Sequence, residues 1–167
     1  MSKVIKLILI LVIYWYVMMA VHELGHVAGS WVTGGQVDRV VFGLLKLSRT
    51  DLICNPHPLI VAWSGFAGGV VFPGIIYLLW RVFKIPGLNF IFGLFCFCLI
   101  VNGVYMAADA FYKSADGKSI IQHGGNMWQL LVVGIFLTAF GLWLVDNLQR
   151  KVEVKKPAAK QDKSHCS

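Results

Sequence analysis

Four stretches of the chain carry no Asp, Glu, Lys or Arg: Leu7 to Val21, Pro58 to Trp80, Ile85 to Ala108 and Ser119 to Val145. A helix needs roughly 20 predominantly apolar residues to cross a bilayer, since each adds about 1.5 Å across a hydrocarbon core about 30 Å thick. The last three stretches are long enough as they stand. The first reaches only about 23 Å before His22 and spans only if its helix continues through the polar residues that follow. With 57% hydrophobic and 14% charged residues, the composition is too apolar for an ordinary soluble domain. The predicted fold is an all-α membrane protein with four transmembrane helices, at about 4–31, 58–80, 87–110 and 126–147.

The segments between these helices are short. "TGG" at Thr33 to Gly35 ends the first helix, glycine leaving helical geometry readily. "QVDRVVFGLLKLS" mixes β-branched and apolar residues around Gly43 and reads as two short strands with a turn, a β-hairpin between helices one and two. The prolines of "NPHP" close that loop. The basic start and apolar core resemble a signal peptide, but the core is rich in bulky aromatics, no small-x-small cleavage site precedes His22, and cleavage would remove the helix that carries the histidines, so the segment is expected to stay.

The net charge of +7 lies mostly at one end. Arg150, Lys151, Lys155, Lys156, Lys160 and Lys163 crowd a polar tail without apolar periodicity, so 148–167 reads as a disordered cytoplasmic tail after a membrane domain at 1–147. With four spans both termini share one side with the Arg81–Lys84 loop, and basic residues favour the cytoplasm. No base-reading motif accompanies the charge, so nucleic acid is not expected as a partner; the lipid bilayer is. The chain's compactness points to a bacterial cytoplasmic membrane. The four cysteines include no C-x-x-C pair, which argues against a zinc ribbon or redox motif.

The chemistry concentrates in "HELGH". His22 and His26 are one helical turn apart on one face and can reach a single ion, while Glu23, about 100° round the helix, is placed as a general base for water activated by that ion. Ionisable groups at membrane depth mark working sites. A catalytic zinc takes three protein ligands; the candidates for the third are Asp109, Asp116, His57 and His123, of which the two histidines read as loop residues rather than ligands. Asp109 and Asp116 follow the third span, on the same side of the membrane as the His22 end of the first. Gly25 leaves the face between the histidines open for a neighbouring helix, and Gly65 and Gly69 form a G-x-x-x-G pattern for close approach.

His22, Glu23 and His26, then "SGFAGG" at Ser64 to Gly69, Asn102 and "ADGKSIIQHGGNMWQL" from Ala115, together resemble the small members of the site-2 protease family of intramembrane zinc metalloproteases. The resemblance covers most of residues 1–147 and makes that region metallopeptidase-like. It implies one zinc ion, with Asp116 of the Asp116-Gly117 pair as third ligand and Asp109 as the alternative. It also implies substrate contacts at Asn102, Ser64 and Gly65, and a transmembrane or membrane-proximal protein substrate. Phe66 stands where the family usually has proline, and the fuller Asn-x-x-Pro pattern is absent. The expected activity is zinc-dependent intramembrane peptide hydrolysis; the alternative is an inactive scaffold or regulator that binds client helices. Metal transport fits less well, since helices two and four hold almost no polar residues.

Overall fold

The structure is a computed structural model and describes residues 2–43, 48–112 and 115–155. In chain order the elements are α1 (Lys3–Val32), β1 (Gln36–Val41), β2 (Arg49–Cys54), α2 (Pro58–Val82), α3 (Leu88–Tyr112), α4 (Ala115–Gln122) and α5 (Met127–Lys155). Helices α1, α2, α3 and α5 are each long and apolar enough to cross a membrane. This is the all-α membrane architecture that the charge-free stretches require, with a two-stranded antiparallel hairpin between α1 and α2.

Each helix boundary has a local cause. The Ser2 hydroxyl accepts the Ile5 amide at the start of α1, as an N-cap does. At the other end the Thr33 hydroxyl donates to the Gly29 carbonyl at 2.8 Å, and Gly34 turns the chain at a φ of 76°, a left-handed conformation that suits glycine. Pro58 opens α2, where its missing N–H costs nothing.

Three boundaries differ from the sequence expectation. The second strand lies at Arg49–Cys54, beyond the segment read as holding both strands; residues 44–47 of that segment lie outside the described residues. The charges in "RTDLIC" conceal this strand. Asp51 accepts hydrogen bonds from Arg39 across the hairpin and from Arg49, each at 3.0 Å, which neutralises it on the exposed face. Those bonds, Arg39's first, hold the Asp51 carboxyl below the usual carboxylate range.

The second difference is α4, which occupies a segment expected to be loop. It is too short to show a period, and tertiary contacts hold it: Ile120 is fully buried against Met106, Ala110 and Leu130. The third is α5, which runs on to Lys155, past the boundary at 147 into the segment read as disordered tail. Extending an existing helix needs no new nucleus, and the Arg150–Asp146 pair, 2.8 Å apart one turn along, supports it. Residues 156–167 of that tail lie outside the described residues.

The helices pack as two pairs, α1 on α2 and α3 on α5, joined by contacts between α2 and α3. Small residues allow the first pair to approach closely. A Cβ on Gly68 would lie 2.5 Å from the Gly25 Cα, and one on Gly25 would meet the Ser64 carbonyl at 2.2 Å. Gly25 therefore faces a close neighbouring helix, as its place in the sequence suggests, meeting Ser64, Gly65 and Gly68 of α2, while Gly69 faces Asn102 on α3. Side chains that point away from these seams, such as Leu7 and Leu11 on α1 and Val132 and Phe136 on α5, are exposed and apolar, as lipid contact demands. Val substituted for Gly68 should therefore destabilise the fold by about 1–3 kcal/mol through overpacking. Ala at Gly74, whose Cβ would meet only the Phe95 ring at 3.3 Å, should be tolerated. Thermal unfolding of the two variants in detergent compares them directly.

Candidate metal centre

His22 and His26 project from the C-terminal half of α1, both buried. Their Nε2 atoms lie 3.2 Å apart. Asp116, in the first turn of α4, places Oδ2 3.0 Å from the His22 Nε2 and Oδ1 3.4 Å from the His26 Nε2. Two helices distant in sequence thus meet at one point, on the shared side that four spans impose.

The far side of each imidazole settles which nitrogen faces inward. The His26 Nδ1 lies 2.8 Å from the Val61 carbonyl. A carbonyl only accepts, so Nδ1 carries the proton and Nε2 presents a lone pair. The His22 Nδ1 lies 3.2 Å from the Asn102 Oδ1. The Asn102 amide is oriented by its own NH2 group, which donates to the Cys98 carbonyl at 2.9 Å and the Gly69 carbonyl at 3.4 Å. Its oxygen therefore turns to His22, whose Nδ1–H donates to it. Two lone pairs and a carboxylate converge at 3.0–3.4 Å, and a positive centre must sit among them, either a proton on one Nε2 or a metal ion.

The spacing fits a metal. Zinc–ligand bonds of about 2.0–2.2 Å in a tetrahedron put neighbouring donor atoms about 3.3–3.6 Å apart, close to the distances found. Among the described residues these three form the group able to hold an ion. Burial alone would raise the Asp116 carboxyl, but imidazole protonated at Nε2, the alternative to a metal as the positive centre, outweighs burial and holds the group well below the usual carboxylate range. It is the ionised form that ligates a metal.

The other candidate ligands are elsewhere. Asp109 is buried on α3, and its Oδ2 accepts the Gly117 amide at 2.7 Å. It thereby anchors the first turn of α4, which delivers Asp116. A Cβ at Gly117 would press on that carboxylate at 2.8 Å, which gives the glycine after Asp116 a steric reason. His57 is exposed at the front of α2, and the exposed His123 donates to the Ser119 carbonyl at 2.8 Å.

The residues expected to contact substrate have different places. Gly65 lies directly beneath the imidazoles, where a Cβ would meet the His26 Nε2 at 2.3 Å. The Ser64 hydroxyl donates to the Val61 carbonyl at 2.6 Å and packs on Gly29. Neither lines the cavity beside the site, and both serve the α1–α2 contact. Asn102 reaches the cavity wall, but its amide is engaged with His22 and two carbonyls. Phe66 stands edge-on to the His22 ring at 5.3 Å.

That cavity, of about 310 Å³, is walled by Met18 and Met19 of α1, Thr50 and Leu52 of the hairpin, and Val101 and Tyr105 of α3. His22, Glu23, His26 and Asp116 line it as well. Glu23 is buried, and its Oε2 accepts the Thr50 hydroxyl at 2.7 Å. Thr50 is absent from the sequence reading, since nothing in "RTDLIC" marks one threonine as facing a carboxylate from another element.

Comparison of the chain with protein-family models, with curated proteins and with solved structures found no match.

Protein purified without chelators should carry about one zinc per chain, measured by elemental analysis. Asp116→Ala should lose it, whereas Asp109→Asn, which can still accept the Gly117 amide, should keep it. Asn102→Leu should weaken zinc binding by about 10- to 100-fold, the usual effect of removing a partner that orients a ligand histidine; competition with a chromophoric chelator measures the change.

Proposed function

We propose that the chain is a zinc-dependent intramembrane endopeptidase of the site-2 protease kind, hydrolysing peptide bonds in membrane-embedded or membrane-proximal segments of other proteins. The observation that carries this reading is the convergence of His22, His26 and Asp116, which line one cavity together with Glu23. Zinc held there would act as a Lewis acid toward a peptide carbonyl and acidify water.

The chain's own residues supply the rest. The Val61 carbonyl and Asn102 fix both imidazoles with Nε2 inward. The Glu23 Oε1, which meets no hydrogen-bond donor among the described residues, takes a proton from water and returns it to the leaving nitrogen. Met18, Met19, Leu52 and Val101 exclude bulk water and favour apolar side chains in the substrate. A substrate helix has to unwind first, because its carbonyls are hydrogen-bonded, and the hairpin edge offers partners for the backbone groups this frees. In this reading the termini face the cytoplasm of a bacterial cell and the cavity lies toward the opposite side of the membrane.

A scaffold that binds client helices in the same cavity without cutting them is the second reading. It is favoured by Phe66, which packs on His22 where site-2 proteases usually carry proline.

One experiment separates the two. Wild type and Glu23→Gln are reconstituted in liposomes with a library of apolar transmembrane peptides, and products are read by mass spectrometry beside zinc content. The protease reading expects zinc in both proteins and cleavage reduced by about 100-fold or more in the variant. Cleavage by Glu23→Gln at the wild-type rate would sink the mechanism, and zinc without cleavage by the wild type would favour the scaffold.

A further inference from the structure

We infer that Thr50, on β2 of the hairpin, is a positioning residue for Glu23, so that correct seating of the hairpin is a condition of catalysis. The inference rests on the protease reading for its kinetic consequence and on geometry for the contact itself. Thr50 and Glu23 are 27 positions apart, and the Thr50 Oγ1 to Glu23 Oε2 distance is 2.7 Å, short as hydroxyl-to-carboxylate bonds are. Among the described residues no other group donates to Glu23. Glutamate has three side-chain torsions, and the carboxylate borders an open cavity; without a brace several rotamers are open to it. Held by Oε2, the carboxylate keeps one orientation in the cavity that it lines with His22 and His26.

The hairpin is built to present this hydroxyl. Thr50 pairs with Val40 across the ladder, and Thr50 and Leu52 line the cavity together. Between them, the Asp51 carboxylate is held on the exposed face by Arg39 and Arg49, so the pleat turns Thr50 inward. A second tether comes from Ser48, whose hydroxyl lies 3.8 Å from the Met19 sulfur on α1. The hairpin otherwise touches the helices sparsely, mainly α1. Its position and the orientation of the general base are thus linked through one hydrogen bond.

Thr50→Val keeps the β-branched shape that the strand favours and removes the donor; Thr50→Ser keeps the donor. In the reconstituted protein Thr50→Val should lower kcat by about 10- to 100-fold, as misplacement of a reacting group by about 1 Å does. KM and zinc content should not change, and Thr50→Ser should return kcat to within about threefold of wild type. A purely structural role would instead move zinc content or KM, or fail to distinguish Ser from Val. Wild-type kcat in Thr50→Val, or an equal fall in Thr50→Ser, overturns the proposal. An infrared difference spectrum against Glu23→Gln isolates the Glu23 carboxylate stretch without turnover. That band should shift in Thr50→Val and stay in Thr50→Ser, and an unshifted band in Thr50→Val overturns the contact. If the wild type cuts nothing, the protease reading falls, while the infrared result still decides whether Thr50 holds Glu23.

Discussion

Two imidazole nitrogens with inward lone pairs and one carboxylate cannot share the inside of an apolar bundle without positive charge between them. Much of the structure around the site follows from meeting that condition. The outer nitrogen of each ring must find an acceptor, or the ring would turn. Val61 on α2 and Asn102 on α3 supply the acceptors, and each fixes a distance between helices as well as a tautomer. The bundle's two helix pairs are therefore held in relation to each other by the site as well as by their apolar seams. A buried polar network of this kind tolerates little slack, because any member left unsatisfied carries its full desolvation cost.

Close backbone approach is the second requirement. The rings of His22 and His26 occupy the space where α2 would place a side chain, so Gly65 sits beneath them and Gly25 meets Gly68. The same economy of volume appears at α4, where Gly117 allows the Asp109 carboxylate to accept its amide. Asp109 and Asp116 are both acidic, both near the end of α3, and chemically equivalent as ligands. Their roles divide by geometry: one anchors the short helix, and the other is carried by it to the histidines.

The hairpin adds a component of a different kind. It lies outside the spans, touches the bundle lightly, and contributes the hydroxyl that holds Glu23. The groups that would bind the metal stand on helices embedded in the bundle, whereas the group that would move protons is braced from a loop element.

The four spans were legible in the sequence because burial in lipid requires long apolar runs, a constraint that composition alone expresses. The pairing of His22 with His26 and the placing of Glu23 beside them were legible for a similar reason, since helical periodicity is local. The shared side of the first and third helix ends followed from counting spans. The resemblance at Asp116-Gly117 favoured Asp116 over Asp109, but both satisfy the same chemistry, and only the tertiary structure shows α4 carrying Asp116 to the histidines. It also brought Gly68 against Gly25, moved the second strand to Arg49–Cys54, and placed Ser64 and Gly65 in the contact between α1 and α2. Asn102 stood out as polar within an apolar span, but its partner lies on another helix. Thr50 left no trace at all: a hydrogen bond between residues distant in the chain depends on how a strand is seated against a helix, and no local pattern records that.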